Sequence, residues 1–419
     1  MAGLKALGGT SDILPDEAAA WQALEEKARR VLRRYGYQEI RTPLIEEAAV
    51  FTRSLGEAAE IVTKQMYLFE DRGGRSVALR PEGTASVVRA FIEHGLDRTA
   101  SVSRFYYAGP MFRAERPQAG RRRQFHQLGV EVFGSASPYQ DVEVLCLLRR
   151  LLEGWGLSGW ALKVNSLGCR EDRRRMVDQV RRQMSPHRAK LCHDCQERLE
   201  KNPLRILDCK EKGCIQLSQA VDLLESVCPT CREHFEQVTR TLQALQVPFQ
   251  RDAHLVRGLE YYTRTAFEVI HSGLGAHNAL GGGGRYDDLV EQMGGAAVPA
   301  TGFAVGLERV LLALESEQGK PPAARPWDAF VATVSPAQIG EALALAESLR
   351  QEEVRVFANV EDRPLRRQLE QASKWMPDGF VFILGEEEVA KGIVTVRNLS
   401  TGKQEQVRHS ELARWIKGR

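Results

Sequence analysis

The sequence lacks the features that mark membrane and secreted proteins. Across its 419 residues, no run approaches the ~18 to 20 consecutive apolar residues that a membrane helix needs. The opening MAGLKALGGTSDILP has no basic segment followed by an apolar one, so no secretory signal is predicted. The chain also has no internal repeat and no low-complexity tract. We therefore predict a cytoplasmic location and no membrane partner.

A large excess of charge of either sign is also missing. The 58 Lys and Arg residues nearly balance the 55 Asp and Glu residues, which leaves a formal net charge of +3. Overall charge therefore does not indicate a nucleic-acid partner, and any such contact must come from local basic patches. The chain is 43% hydrophobic, so it can form a sizeable core, and its length favours two or three domains.

The first half of the chain has the pattern of antiparallel strands with intervening helices. A helix is predicted over 16–35, and QEIRTPLIE at 38–46 has the pattern of a strand that Pro43 confines to an edge or an interface. Further predicted elements are a helix over 85–94 and strands over 66–70, 76–80, 103–113 and 124–134. The last two strands flank an arginine-rich loop and so predict a long hairpin.

The second half changes composition twice. Residues 169–246 are helical, charged and rich in cysteine, which is typical of an insertion. After strand patterns return at 265–271, the polar, proline-rich stretch 316–328 predicts a linker. Alternating strand and helix patterns beyond it predict a small α/β domain with a mostly parallel sheet. The predicted organisation is an α/β protein with an α+β core of 1–168 and 247–318, an insertion of 169–246 and a tail domain of 327–419.

Arginines concentrate in the loop of the predicted hairpin, FRAERPQAGRRRQFHQ at 112–127. Glu115 lies among five of them: Arg113, Arg116, Arg121, Arg122 and Arg123. Guanidinium groups bind phosphate bidentately and remain charged. Because a sheet would fix their positions, one interpretation is a phosphate-binding loop. The alternative is an ordinary solvated turn.

Two further segments combine glycine with arginine. In GFAVGLERVLL (302–312), two glycines open an apolar helix and Arg309 lies near its start, an arrangement that favours anions. In LVRGLEYYTRTAFE (255–268), Arg257 stands beside Gly258, and Tyr261 and Tyr262 would point to opposite faces of a strand. The run Gly281–Gly284 follows in ALGGGGRYDDL. The alternatives are a peripheral ion pair of Glu308 with Arg309, core tyrosines and a flexible glycine linker.

Together these segments resemble the class II aminoacyl-tRNA synthetases, and among them the histidyl-tRNA synthetases. The matching segments follow the family's order over essentially the whole chain: YGYQEIRTPLIE, LRPEGT (79–84), MFRAERPQAGRRRQFHQLGVEVFG, LVRGLEYYT, GGGGRYDDL and GFAVGLER. The Arg-Gly-Leu-x-Tyr-Tyr segment and the glycine run are specific to the histidine family. Two residues depart from its pattern: Glu260 stands where Asp is usual, and Arg264 where a small or polar residue is common.

The resemblance implies a fold, an activity and partners. The fold would be the class II antiparallel sheet flanked by helices, with a helical insertion and a C-terminal α/β anticodon-binding domain. The activity would be conversion of L-histidine and ATP to histidyl-adenylate, aided by Mg²⁺, and transfer of histidine to the 3' end of tRNA(His). A homodimer would form through helix 16–35 and the strand that contains Pro43.

The resemblance also assigns residues to the site. The catalytic pair would be Arg113 and Arg257, on the α-phosphate. The ATP-binding set would be Arg113, Glu115, Arg121, Phe125 and Arg309. The histidine-binding set would be Glu82, Gly83, Thr84, Arg113, Gln127, Glu131, Arg257, Tyr261 and Tyr262. Within it, Glu131 and Tyr262 would bind the imidazole, and Glu82, Thr84 and Gln127 the α-amino group.

The eight cysteines need a separate interpretation, because disulfides are unusual in a long cytosolic chain. The pairs Cys192-x-x-Cys195 and Cys228-x-x-Cys231 have the spacing of a four-thiolate zinc site. Competing ligands would be Cys209 and Cys214, and the alternative is a set of reduced, unligated thiols. We interpret Cys146 and Cys169 as ordinary packed residues. By the resemblance, activity does not need zinc, so any ion would be structural.

The tail and the overall activity also have alternatives. Four basic residues of the tail cluster on one predicted helix, where they would either contact tRNA or form a solvated basic face: Arg363, Arg366, Arg367 and Lys374. Rival functions are a regulatory paralogue that binds histidine without chemistry and a tRNA-sensing module. The tail and the Arg-Gly-Leu segment argue against the paralogue, and the intact Arg113, Arg257 and Arg309 argue against the sensing module.

Overall fold

The computed structural model describes residues 4–56, 59–115, 122–275, 278–320 and 327–419. The chain divides into two compact units, Met1–Pro321 and Pro322–Arg419. The predicted insertion lies inside the first unit. Among the described residues, no helix is long and apolar enough to cross a membrane.

Strands of the first unit carry most of the site. They are β1 Gln38–Glu39, β2 Ile45–Glu47, β3 Tyr67–Glu70, β4 Ser76–Leu79, β5 Ser103–Phe112, β6 Gln124–Phe133, β7 Trp160–Ser166, β8 Gln250–Arg251, β9 Thr263–His271, β10 Ala279–Arg285 and β11 Ala300–Gly306. Eight of them form one sheet in the order β1-β5-β6-β11-β10-β9-β7-β8, and β2-β4-β3 form a second. Within the large sheet only the outermost pairs, β1–β5 and β7–β8, are parallel. The predicted antiparallel sheet is thus confirmed.

Helices of the first unit flank this sheet. They are α1 Pro15–Arg34, α2 Ala48–Leu55, α3 Thr84–Glu93, α4 Pro138–Trp155, α5 Arg170–Met184, α6 His193–Lys201, α7 Lys212–Ser218, α8 Pro229–Ala244, α9 Leu289–Gln292 and α10 Leu307–Gln318. Alternate strand residues face two separate cores, as the pleat requires. For example, Tyr106 joins a core with α1, α4 and α8, whereas its neighbour Tyr107 joins a core with α2, α3 and the insertion.

Three local predictions can be compared with the structure. The segment 38–46 is interrupted at Pro43, because proline has no N–H to continue a ladder. Its first part, β1, lies at the edge of the large sheet, as predicted, and its second part, β2, lies in the small sheet. The glycine run is strand β10, paired on both sides with β9 and β11, so the alternative of a flexible linker is wrong. The helix predicted from about 306 is α10, which begins at Leu307, but the two glycines of GFAVG precede it in β11, Ala300–Gly306, and do not open it.

The second unit has a smaller sheet. Its elements are β12 Ala329–Thr333, α11 Ile339–Gln351, β13 Val356–Ala358, α12 Leu365–Trp375, β14 Phe380–Leu384, α13 Glu386–Lys391, β15 Ile393–Asn398, β16 Gln404–Arg408 and α14 His409–Lys417. The strand order is β13-β12-β14-β15-β16. The pairs of β12 are parallel, whereas β14–β15 and β15–β16 are antiparallel. The expectation of a mostly parallel sheet is therefore wrong: β15 and β16 are joined by a short turn, which only an antiparallel pair permits.

Candidate active site

One cavity of about 560 Å³ in the first unit collects nearly all of the predicted site residues. Its lining includes Glu82, Thr84, Arg113, Glu115, Phe125, Gln127, Glu131, Arg257, Tyr261, Tyr262 and Arg309. Of the remaining two, Gly83 does not line it but packs against the ring of Tyr107, which leaves no space for a Cβ. Arg121 lies outside the described residues. The arginines come from three stretches that are distant in sequence.

Arg113 follows the end of β5 and is held by the hairpin. Its Nε donates to the backbone carbonyl of Pro81 at 3.0 Å. Its guanidinium carbon lies 5.2 Å from the centroid of the Phe125 ring on the paired strand β6, within cation–π range. The arginine-rich segment is thus anchored at its start by a sheet, as the pattern predicted.

Arg257 lies in the segment before β9 and reaches across the glycine strand. Its Nη1 donates to Glu268 Oε1 at 3.0 Å, and its guanidinium carbon lies 5.5 Å from the centroid of Tyr262. A Cβ built on Gly282 would approach Arg257 Nη1 to 2.6 Å. The glycine at this position therefore makes room for the guanidinium group.

Arg309 lies in the first turn of α10, directly after β11. Its Nε donates to the backbone carbonyl of Ala279 on β10. The neighbouring Glu308 binds His126 instead: its carboxylate accepts from the His126 backbone N–H at 2.9 and 3.0 Å. Glu308 thus joins α10 to the hairpin strand β6.

Glu131 is the deeply buried carboxylate of the cavity. One oxygen accepts from Thr84 Oγ1 at 2.7 Å, and the other accepts from the Tyr286 hydroxyl. The side chain is only 1% exposed, and this burial raises its pKa to about 8, although the two hydroxyl donors oppose the shift. Tyr286 was missed from the sequence, although it stands two residues beyond the glycine run.

Glu82 and Gln127 differ in how far the protein already satisfies them. Glu82 caps the start of α3, because its two oxygens accept from the backbone N–H groups of Thr84 at 2.7 Å and Ala85 at 2.8 Å. Burial raises the pKa of Glu82, while these donors oppose the shift. Gln127 Oε1 is buried and has no hydrogen-bond partner in the described part of the chain. The amide oxygen of Gln127 is therefore an open acceptor.

The sequence suggested that the tyrosine pair lies in a strand, but in the structure it does not. Tyr261 and Tyr262 precede β9, and both rings are buried on the cavity side, with centroids 4.7 Å apart. The expectation that they point to opposite faces is wrong, because the alternation of a strand begins only at Thr263. With Tyr286, whose centroid is 5.6 Å from that of Tyr261, they form an aromatic wall.

The two residues that depart from the family pattern, Glu260 and Arg264, both form hydrogen bonds with distant parts of the sequence. Glu260 Oε1 accepts from Asn202 Nδ2 of the insertion at 2.9 Å. Arg264 has a positive φ of 47°, and its N–H donates to the carbonyl of Gly168 at 2.6 Å. Glu260 therefore joins the segment around the tyrosine pair to the middle of the insertion, and Arg264 joins it to the residue that precedes the insertion.

Several lining residues were not predicted. Glu268 binds Arg257, and three basic residues come from the insertion: Arg198, Arg205 and Lys210. No local sequence signal marks these three, because they reach the cavity only through the folding of the insertion.

The predicted zinc set is wrong in its composition. Cys192 and Cys195 group with Cys209 and Cys214, whereas the second pair groups with Cys169 and Asp172. The second pair is Cys228 and Cys231, so the two C-x-x-C motifs fall into different groups. Spacing reveals that each motif can hold an ion, but it does not reveal which motifs meet in space. Cys169, which we interpreted as an ordinary packed residue, has its sulfur within 4.8 Å of the ligand atoms of Asp172, Cys228 and Cys231.

The basic residues of the tail are largely exposed. On α12, the side chains of Arg366 and Arg367 are 89% and 73% exposed, and both pair with Glu370. Such pairs on one helix face contribute little to stability.

Comparisons with known proteins show the family of the chain. A family model described as histidyl-tRNA synthetase matches residues 9–310, and one described as anticodon binding domain matches residues 328–419. The histidine–tRNA ligase of Desulforamulus reducens is 47% identical over 98% of this chain and 98% of its own length. That of Moorella thermoacetica is 47% identical over 95% and 94%.

A solved structure supports the same family assignment. The apo histidyl-tRNA synthetase of S. aureus has a TM-score of 0.82 at 32% identity, over 99% of this chain and 100% of that one. The predicted activity is therefore confirmed. The chain belongs to the histidyl-tRNA synthetase family and is an ATP-dependent enzyme that ligates histidine to tRNA.

Proposed function

We propose that Arg113 and Arg257 hold the α-phosphate of ATP while the carboxylate of histidine attacks it. The observation that carries this proposal is the meeting of Arg113, Arg257 and Arg309 on one cavity whose other lining includes the buried Glu131. Guanidinium groups suit the task because they bind phosphate oxygens bidentately and keep their charge.

The first step needs no general base. A carboxylate oxygen of histidine forms a bond to the α-phosphorus, and the bond from that phosphorus to the bridging oxygen breaks, which releases pyrophosphate. The nucleophile is already ionised at neutral pH. Catalysis therefore consists of orienting the two reactants and stabilising the charge on the phosphoryl oxygens. In the second step, a ribose hydroxyl of the terminal nucleotide attacks the histidyl carbonyl, and AMP leaves.

The rest of the ATP would lie along the hairpin and α10. The β- and γ-phosphates would bind Arg309 and Arg121, and adenine would stack on Phe125, one side of which already contacts Arg113. Glu115 would lie near the nucleotide base. Mg²⁺ would be held by the triphosphate and by a carboxylate of the lining, Glu115 or Glu268, because this ion prefers oxygen ligands. Its contribution would be to neutralise phosphate charge.

Histidine would be selected at the buried end of the cavity. Glu131 and Tyr262 would hydrogen-bond the imidazole, since buried polar groups reject substrates that cannot pair with them. The open oxygen of Gln127 would accept from the α-ammonium group, assisted by Glu82 and Thr84. Because Glu82 already caps α3, its contribution would be mainly the charge.

Replacement of Arg257 by alanine tests this proposal. Histidine-dependent ATP–pyrophosphate exchange should fall by at least about 100-fold, the effect of losing one donor to a reacting oxyanion. Arg174→Ala is the matched control, because that side chain is 67% exposed on α5. Exchange at the wild-type rate in Arg257→Ala, with the fold intact by circular dichroism, would refute the assignment.

The remaining partners belong to the same proposal. The tRNA would be tRNA(His), with the second unit at its anticodon, and the chain would work in the cytoplasm as a homodimer. The exposed Leu44 and Ile45, which follow Pro43, support an interface on that side. Light scattering should report the mass of two chains.

A further inference from the structure

Two groups of potential metal ligands lie in and around the helical insertion. In the first, four sulfur atoms lie within 4.8 Å of one another, those of Cys192, Cys195, Cys209 and Cys214. In the second, three sulfur atoms and one carboxylate oxygen are equally close, those of Cys169, Cys228, Cys231 and Asp172. All eight side chains are buried or half-buried, and none lines the reaction cavity.

The spacing within the first group fits one tetrahedral ion. Cys192 Sγ and Cys209 Sγ are 3.8 Å apart. In a tetrahedral site, four sulfurs that each lie ~2.3 Å from a central zinc are ~3.8 Å apart in every pair. A disulfide would bring two sulfurs to ~2.05 Å. In an iron–sulfur cluster the four cysteines are divided among two or four iron atoms, so sulfurs bound to different irons lie further apart than the 4.8 Å within which all four lie here.

Three helices start at these ligands in the same way. Each of α5, α6 and α8 begins directly after a cysteine, and a second ligand stands three residues later: Asp172, Cys195 and Cys231, respectively. The segment Cys169-x-x-Asp172 is therefore a third copy of the C-x-x-C pattern with aspartate in the last place. This spacing brings both side chains to the same end of a helix.

Backbone N–H groups donate hydrogen bonds to several of these ligands, which favours the negatively charged form of each ligand. Cys214 Sγ accepts from the N–H of Cys192 at 3.3 Å, and Cys209 Sγ accepts from the N–H of Glu211 at 3.5 Å. In the second group, the Asp172 oxygens accept from the N–H groups of Cys169 at 3.1 Å and Cys228 at 3.0 Å. Hydrogen bonds of this kind fix the orientation of metal ligands.

We propose that the chain holds two structural zinc ions, one between four cysteines and one between three cysteines and Asp172. Each cysteine would bind as thiolate and release its proton to solvent. The ions would tie together short elements such as α6 and α7, which have 9 and 7 residues. The first ion would also fix the segment between Cys195 and Cys209, from which Arg198 and Arg205 reach the cavity.

Zinc content gives the first test and does not depend on the proposed roles in catalysis. Untagged protein purified without chelator should contain two zinc ions per chain by inductively coupled plasma mass spectrometry. Cys209→Ser and Cys228→Ser should each retain one. Cys146→Ser is the matched control and should retain two, because Cys146 belongs to neither group.

Cobalt substitution tests the identity of the fourth ligand. Protein produced in cobalt-supplemented medium should show sulfur-to-cobalt charge-transfer bands from both sites. Asp172→Cys should keep two ions and move the visible bands of the second site toward those of the first. Unchanged bands in that variant would overturn the role of Asp172.

The zinc count of the unaltered chain decides the proposal even if the serine variants fail to fold. Two ions per chain support it, and one or none overturns it. Loss of an ion in Cys146→Ser, or retention of both ions in a folded Cys209→Ser or Cys228→Ser, would also overturn it.

Discussion

In the proposed function, selection of histidine would depend most on one residue, Glu131. It is buried, accepts hydrogen bonds from the hydroxyl groups of Thr84 and Tyr286, and lines the cavity. A buried acceptor of this kind discriminates strongly, because a substrate that cannot pair with it leaves it desolvated.

Replacement of Glu131 by alanine should therefore affect one substrate more than the other. We expect KM for histidine in pyrophosphate exchange to rise by about tenfold, the effect of losing one buried hydrogen bond worth about 1.4 kcal/mol. KM for ATP should change much less, because Phe125 and Arg309 remain. Equal losses for both substrates would count against the assignment.

The raised pKa of Glu131 also predicts a dependence of stability on pH. In the folded chain its pKa is about 8, whereas its ordinary value is 4.5. Between these values the unfolded carboxyl has lost its proton and the folded one retains it, so the folded state loses stability as pH rises. Below 4.5 this contribution is fully present, and above about 8 the loss is complete.

Urea unfolding of Glu131→Gln against the unaltered chain measures this loss. The free energy of unfolding of the unaltered chain should fall relative to the variant by up to about 1.4 kcal/mol per pH unit within that window. Glu93→Gln is the control, since its side chain is 58% exposed. A difference that stays constant from about pH 5 to about pH 8 would contradict the raised pKa of Glu131.

Helices and strands around the cavity are joined by a buried network. Asp141 of α4 accepts from Arg285 of β10 at 2.9 Å, from Thr265 of β9 at 2.6 Å, and pairs with His234 of α8 at 2.8 Å. Asp141 and Arg285 are both fully buried. The network fixes the end of the glycine strand, next to Gly284 and the segment that contains Tyr286.

Asp141→Asn should therefore destabilise the chain strongly. Among the described residues, the variant leaves the buried Arg285 with Asp287 as its one charged partner, and breaking such a pair costs about 3 kcal/mol or more. Thermal or urea unfolding measures the effect, with Asp178→Asn as the control because its side chain is 68% exposed. A loss no larger than that of the control would show that the network does not stabilise the fold.

The elements that sequence patterns predicted well are those with regular apolar spacing. The helix at 85–94 and the hairpin strands at 103–113 and 124–134 agree with α3, β5 and β6 to within one residue at each end. The glycine strand β10 could not be recognised by pattern, because glycine has low strand propensity and no side chain to alternate. Its strand pairing depends on neighbours that only the folded sheet supplies.

The residues of the candidate site also divide into those that the sequence predicted and those that it did not. Residues inside the family segments, such as Arg113 and Glu131, could be named as candidates in advance because the segments follow the family's order. Arg198 and Arg205 could not, since they stand in the insertion and approach the cavity through tertiary folding. The same reason explains why the predicted set of four cysteines differs from the groups in the structure. Cys169 and Cys228 belong to one group, although three helices, α5, α6 and α7, lie between them in the sequence.

At the level of the whole molecule, the two units predict a separation of tasks. By the proposed function, adenylate formation would need only the cavity of the first unit, whereas tRNA charging would also need the second. The basic residues of the tail would add salt-dependent affinity for the phosphate backbone. This assignment makes the second unit a tRNA-binding module without a part in the first step.

Deletion of residues 320–419 should therefore impair tRNA charging far more than pyrophosphate exchange. We expect charging at a fixed tRNA concentration to fall by at least about tenfold, which corresponds to about 1.4 kcal/mol of lost binding. Arg366→Ala together with Arg367→Ala tests the same assignment without truncation, and its effect should weaken as salt rises. Proportional losses of both activities in the deletion would contradict the separation of tasks.

The most direct test of the central claim is a crystal structure of the chain with a non-hydrolysable analogue of histidyl-adenylate. The account predicts that Arg113 and Arg257 both contact oxygens of the group that replaces the α-phosphate, at the ~2.7 to 2.9 Å of charge-assisted hydrogen bonds. It also predicts the imidazole within hydrogen-bond distance of Glu131. Guanidinium groups of Arg113 and Arg257 turned away from that group, with solvent around the analogue, would contradict the account.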